Sequence, residues 1–145
     1  MTPKELLTKC RDEKREILIL QDKKAQLEAS LLPKALSIKA VDVQDSADPD
    51  PMFNRIPEVV DLERQIESLL SHLYDHEQQA FRIISGLPDS RYRQLLQLYY
   101  LQFYASETGK QKLYTWEMVA EEMDYSVVWI HRMRQEALDS LPSVY

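Results

Sequence analysis

One unbroken heptad pattern constrains this chain more than any other feature. Val59, Leu62, Ile66, Leu69, Leu73, His76, Ala80, Ile83 and Leu87 follow one another at three- and four-residue steps. That spacing predicts a long helix over residues 56–86 with one apolar seam. A seam needs a partner: an earlier helix of the same chain, another copy, or both. A two-helix hairpin buries only one stripe on each helix, so self-association is expected as well.

The earlier helix is predicted over residues 3–31. Leu6, Cys10, Ile17, Leu20, Leu27 and Leu31 form its stripe, with Glu13 and Lys24 as polar breaks. Cys10 reads as a small core residue. Pro33 is expected to end this helix, because proline removes a donor and restricts the residue before it. Residues 40–55 are acidic and contain Pro49 and Pro51, so they read as a surface linker.

Past the seam, Gly86-Leu87-Pro88-Asp89 reads as a stop, with Gly86 suited to a left-handed cap and Asp89 or Ser90 capping the next helix. Residues 90–105 present Tyr92, Leu95, Leu96, Tyr99, Tyr100 and Phe103 as a broad aromatic and leucine face. Residues 106–114 read as a polar loop or a ragged helix end.

The C-terminal stretch carries the chemistry. Thr115 is a good N-cap, and Trp116, Val119, Ala120 and Met123 give one buried face on a short helix. Asp124-Tyr125-Ser126 breaks it. Ser126 then caps a second helix with Ile130, Met133, Ala137 and Leu141 as its core face, and Pro142 ends that helix. Two short helices joined by a tight turn fit a helix-turn-helix. Ala120 is small enough for the second helix to cross closely, Asp124 must accept a left-handed backbone, and Ile130 plugs the crossing.

Charge and composition narrow the function classes. Formal net charge is −6, which speaks against a simple nucleic-acid binder. Its distribution is uneven: residues 1–40 carry net +3, 41–86 net −7 and 87–145 net −2. The C-terminal part is therefore close to neutral. Two glycines exclude a phosphate-cradling Gly-rich loop, and one cysteine excludes an internal disulfide framework and a Cys-based zinc site. No membrane-spanning run and no signal peptide are read, so a cytoplasmic protein is expected. His72 and His76 stand four apart on one helix face, but no third ligand follows, so no metal and no cofactor are expected. No nucleophile–base or paired-carboxylate arrangement stands out, and an enzyme is not expected.

Several segments together resemble a known family. Trp116-Glu117-Met118-Val119-Ala120-Glu121-Glu122-Met123-Asp124-Tyr125-Ser126, then Ile130-His131-Arg132 and Glu136-Ala137-Leu138, resemble the end of the ArpU-like proteins, small phage and prophage proteins of Gram-positive bacteria. Asp48-Pro49-Asp50-Pro51-Met52, Val60-Asp61-Leu62-Glu63, Ile66-Glu67, Leu95-Leu96 and Tyr99-Tyr100-Leu101 resemble its middle. The resemblance implies an all-α protein: a long-helix hairpin or coiled coil over residues 1–86, then a small helix-turn-helix domain over residues 87–145 that is similar to region 4 of sigma-70 factors. It also implies transcriptional regulation in a phage or prophage, inside a bacterial host cell. Two departures stand out. The segment from Phe103 to Tyr114 is longer than in the family, with Lys110 and Lys112 available to touch phosphate or to stay solvated. The second helix begins Val127-Val128-Trp129, where base-reading Arg, Lys, Asn or Gln would be usual.

If the unit binds DNA, the expected contacts are Ser126, Val127, Val128, Trp129, His131, Arg132 and Gln135, with Arg134 as a further candidate. Ser126 can bring a phosphate to the helix N-terminus, or be only a cap. Val127, Val128 and Trp129 can meet thymine methyls or sugars, or form a protein interface. Arg91 and Arg93 can support a backbone contact or balance helix charge. The leading expectation is a DNA-binding transcriptional regulator that forms homo-oligomers through its long helices. The alternatives are an adaptor that docks on host RNA polymerase or another regulator without DNA affinity, and a small terminase-like DNA-packaging subunit.

Overall fold

The computed structural model describes residues 1–40 and 51–143. The protein is mostly helical, with one two-stranded sheet. In chain order the elements are α1 (Pro3–Ala40), α2 (Pro51–Ser85), α3 (Ser90–Leu96), a π-helical turn (Gln97–Leu101), β1 (Phe103–Ala105), β2 (Gln111–Leu113), α4 (Trp116–Met123) and α5 (Val127–Asp139).

Both long helices exceed the predicted bounds. α1 passes through Pro33, where the sequence predicts its end. One proline forfeits one hydrogen bond, and the neighbouring turns keep theirs. α2 begins at Pro51 and carries Pro57 in its second turn. The fixed φ of proline suits a first helical position, and its missing N–H costs nothing there. Of the expected linker, residues 40 and 51–55 are therefore helical, and residues 41–50 lie outside the described residues.

The chain divides into two compact units, residues 1–16 with 71–145, and residues 17–70. In the second unit Ile17, Leu62 and Ile66 are buried, and the Lys24 ammonium lies 3.2 Å from a Glu63 carboxylate oxygen. An open groove there is lined by Gln21, Ala25, Glu28 and Glu67 around that pair.

The first unit holds most of the core. Leu6, Leu7 and Cys10 from α1, Leu73, Ala80 and Ile84 from α2, and Leu95 and Leu96 from α3 are buried with Val119, Ala120, Ile130, Met133 and Ala137. Every described member of the predicted α2 seam is buried or half-buried. Glu13, expected as a polar break, is buried too: Nδ1 of His76 stands 2.8 Å from its Oε1. Beside it Lys14 is fully buried, its ammonium 3.7 Å from Glu77 and 4.9 Å from the Phe103 ring centre. Burial pulls the Lys14 pKa down to about 8 against the attraction of Glu77, and pushes the Cys10 thiol up to about 12.

Three local expectations change between α2 and α4. Gly86 does not take a left-handed backbone. Instead the end of α2 tightens, with the Gly86 N–H on the Ile83 carbonyl (3.2 Å) and the Leu87 N–H on that of Ile84 (3.0 Å). The aromatic run of residues 90–105 is not one helix: α3 widens into the π-helical turn and leaves it as strand β1. Residues 106–114, read as a loop, close an antiparallel hairpin with Phe103 opposite Leu113 and Ala105 opposite Gln111. The Ser106 N–H reaches the Lys110 carbonyl, the Gly109 N–H returns to Ser106, and Gly109 sits at φ 82°. A turn followed by a left-handed residue is a common three-residue hairpin connection.

Candidate nucleic-acid interface

α4 and α5 are set by their caps. The Met118 N–H donates to the Thr115 hydroxyl at 3.2 Å, and the Trp129 N–H to that of Ser126 at 3.1 Å. Between the helices Asp124 takes φ 63° and ψ 43°, the left-handed conformation the sequence demanded. The Tyr125 N–H then reaches the Ala120 carbonyl (2.9 Å), and the Asp124 N–H that of Glu121 (3.2 Å). This paired bonding closes the end of α4. Ala120 and Ile130 are both buried, as a close crossing requires.

α5 divides into two faces. Ile130, Met133 and Ala137 are buried. Val128, His131, Arg132 and Gln135 lie at i, i+3, i+4 and i+7 and are all exposed. Val128 is 75 % exposed, Trp129 40 %, and Ser126 is open at the helix start, whereas Val127 is half-buried. The Gln135 amide donates to Asp139 on its own helix, at 3.3 and 3.4 Å. The candidates thus share one surface except Val127 and Arg134. Arg134 is half-buried, its guanidinium 5.1 Å from the centre of the half-buried Trp116 ring.

That contact belongs to a stack that residue spacing does not predict. The Tyr99 and Trp116 rings are 3.7 Å apart and 11° from parallel. The Arg11 guanidinium lies 3.7 Å over Tyr99 and donates from Nη1 to the Tyr99 carbonyl at 2.7 Å. Arg11, Tyr99, Trp116 and Arg134 therefore connect α1, the π-helical turn, α4 and α5. The wide π turn carries the two tyrosines into this region, since Tyr100 meets Tyr99 edge-on at 4.9 Å. No spacing rule reaches from residue 11 to residue 99, so no local signal announces the contact.

Further polar contacts hold α5 from outside. The Tyr92 hydroxyl donates to Glu136 at 2.6 Å, which raises the tyrosine pKa, and Lys4 pairs with Asp139 at 3.4 Å. The Tyr114 hydroxyl donates to Glu122 of α4 at 2.6 Å, and burial followed by that carboxylate pushes its pKa up to about 12. Arg91 forks the Asp89 carboxylate, and Arg93 donates to the Leu87 carbonyl. Arg91 thereby holds the α3 cap residue Asp89, and Arg93 ties α3 back to the end of α2.

Comparison with known protein families, characterised proteins and solved structures gives no match. Residues 116–139 contain two arginines, no lysine and six carboxylates. With Arg134 half-buried near Trp116, Arg132 is the cation on the outer face of α5, and His131 stands beside it. Among the described residues no three His, Cys, Asp or Glu side chains are placed to hold a metal ion, and no helix is long and apolar enough to cross a membrane.

Proposed function

We propose that this chain is a DNA-binding transcriptional regulator of the phage or prophage type, in which α4 and α5 act as a sigma-region-4-like helix-turn-helix and the long helices bring copies together. The observation that carries this reading is the left-handed turn at Asp124. It ends α4 and is followed at once by α5, which carries Ser126, Val128, His131, Arg132 and Gln135 exposed. A helix presented this way can lie in the major groove, with its N-terminal residues towards base edges. The ArpU-like resemblance of the same segment agrees with this role. Arg132 is the residue best suited to a base edge or phosphate, and Ser126 to a phosphate at the helix N-terminus.

Specific observations also favour a second reading. The excess of carboxylates in residues 116–139 and the exposure of Val128 and Trp129 suit a protein surface better than a phosphate backbone. On that reading the same face docks on host RNA polymerase or another regulator. Titration of labelled duplex fragments from a phage genome with the wild-type chain and Arg132→Ala tests the choice. The DNA reading expects salt-sensitive binding that the variant weakens about tenfold or more. Absence of binding at low salt, with retention on RNA polymerase, supports the adaptor.

A further inference from the structure

The outer face of α2 in the first compact unit is unusually regular. Ser71, Tyr74, Gln78, Phe81 and Ser85 follow at steps of three and four, so they form one stripe, and all five are exposed. Tyr74 is 63 % and Phe81 52 % exposed. Single exposed apolar residues are ordinary. Here two aromatics stand one heptad apart, four and three residues either side of Gln78, with a serine seven residues from it at each end. On one flank of this stripe are Asp75 and Arg82, also exposed, also one heptad apart, and without an ion pair among the described residues. On the other flank lie Glu77, which pairs with Lys14, and the buried seam of Leu73, Ala80 and Ile84.

We propose that this stripe is a self-complementary docking surface on which a second copy of the chain lies antiparallel, with the two-fold axis at Gln78. The occupant follows from the order of residues. In an antiparallel pair the same flank of each helix meets its equivalent, so Asp75 faces the partner's Arg82 and Arg82 faces the partner's Asp75. The same operation sets Tyr74 beside the partner's Phe81, twice. A parallel pair would turn Asp75 towards the partner's opposite flank, where Glu77 stands, and would oppose like charges. The charge pattern therefore selects both the partner and its direction. This deepens the self-association half of the proposed function and does not depend on the DNA half.

The test is the mass of the full chain in solution, without DNA, over a series of concentrations by sedimentation or light scattering. The wild type should approach twice 17.1 kDa. Tyr74→Glu with Phe81→Glu should raise the dissociation constant at least about tenfold, because buried aromatics at the centre of a contact dominate its strength. Both sites are exposed in the single chain, so circular dichroism should be unchanged, and thermal melting should match the wild type at concentrations low enough for the wild type to be monomeric. Asp75→Arg and Arg82→Asp should each weaken the dimer, and the double reversal should restore it. In a Cys10→Ala background, Gln78→Cys should form a disulfide-linked dimer on oxidation. A wild-type monomer at every concentration overturns the proposal. So does a dimer untouched by the glutamates, or a double reversal that fails to rescue. A monomer that still binds DNA would remove this surface and leave the DNA reading standing; a dimer of the expected kind without DNA affinity would do the reverse.

Discussion

Tyr99 and Trp116 lie face to face at 3.7 Å, with Arg11 against the tyrosine and Arg134 near the indole. A residue in the third turn of the first helix is thereby tied to the last helix through two rings. Closely stacked rings gain dispersion and bury apolar area, and a cation–π contact adds about 0.5–1 kcal/mol. The stack therefore adds to the buried core in fastening α4 and α5 to the rest of their unit.

Tyr99→Ala should destabilise the protein by about 1–3 kcal/mol, and Arg11→Met by less. Trp116 and Trp129 are the two tryptophans, so Trp129→Phe leaves Trp116 as the sole reporter. In that background Tyr99→Ala should shift the Trp116 emission to the red and lower the denaturation midpoint. Unchanged emission and midpoint would rule the stack out as a fastening.

The turn between α4 and α5 gives opposite expectations at two neighbouring sites. Asp124 is left-handed, so Asp124→Gly should be neutral or stabilise by up to about 1 kcal/mol, while Asp124→Val should destabilise. Ser126 caps α5, so Ser126→Ala should cost about 1 kcal/mol. Urea denaturation of the three variants measures all of these.

Buried Lys14 should leave a mark on the pH dependence of stability. Its folded pKa of about 8 lies below the ordinary value of 10.5. Between those values the unfolded chain holds a proton that the folded chain has released, so this residue's contribution rises with pH. Cys10, raised from 9.0 to about 12, acts in the opposite sense above pH 9. In a Cys10→Ala background stability should therefore climb from about pH 8 to 10, and Lys14→Met should remove that slope. A slope unchanged by Lys14→Met would contradict the buried-ammonium account.

Much of this was legible from residue spacing, and the rest failed for identifiable reasons. The α2 seam and the core face of α5 are local periodicities, and burial follows them. Asp124 and Ser126 were readable because a tight turn demands one left-handed residue and one cap. Pro33 and Pro51 misled because proline is judged by what it removes, whereas a long helix survives one lost bond and starts well on a proline. The run Tyr99-Tyr100-Leu101 looked like a continuing helix; the π turn and hairpin that follow depend on distant contacts such as Arg11 with the Tyr99 carbonyl. Of the candidate surface, the exposed face of α5 was readable by period. The approach of Arg134 to Trp116 was not, because it joins residues on two different helices.

The central claim, that the face of α5 reads duplex DNA, is tested most directly by salt dependence. Binding of the full chain, of measured mass, to duplex fragments should be followed at several salt concentrations, with Arg132→Ala in parallel. With so few cations on this face, the account predicts a shallow slope of log affinity against log salt, about −2 to −4 for a dimer, and a smaller slope for the variant. No detectable binding at low salt, or equal slopes for the wild type and Arg132→Ala, would contradict it.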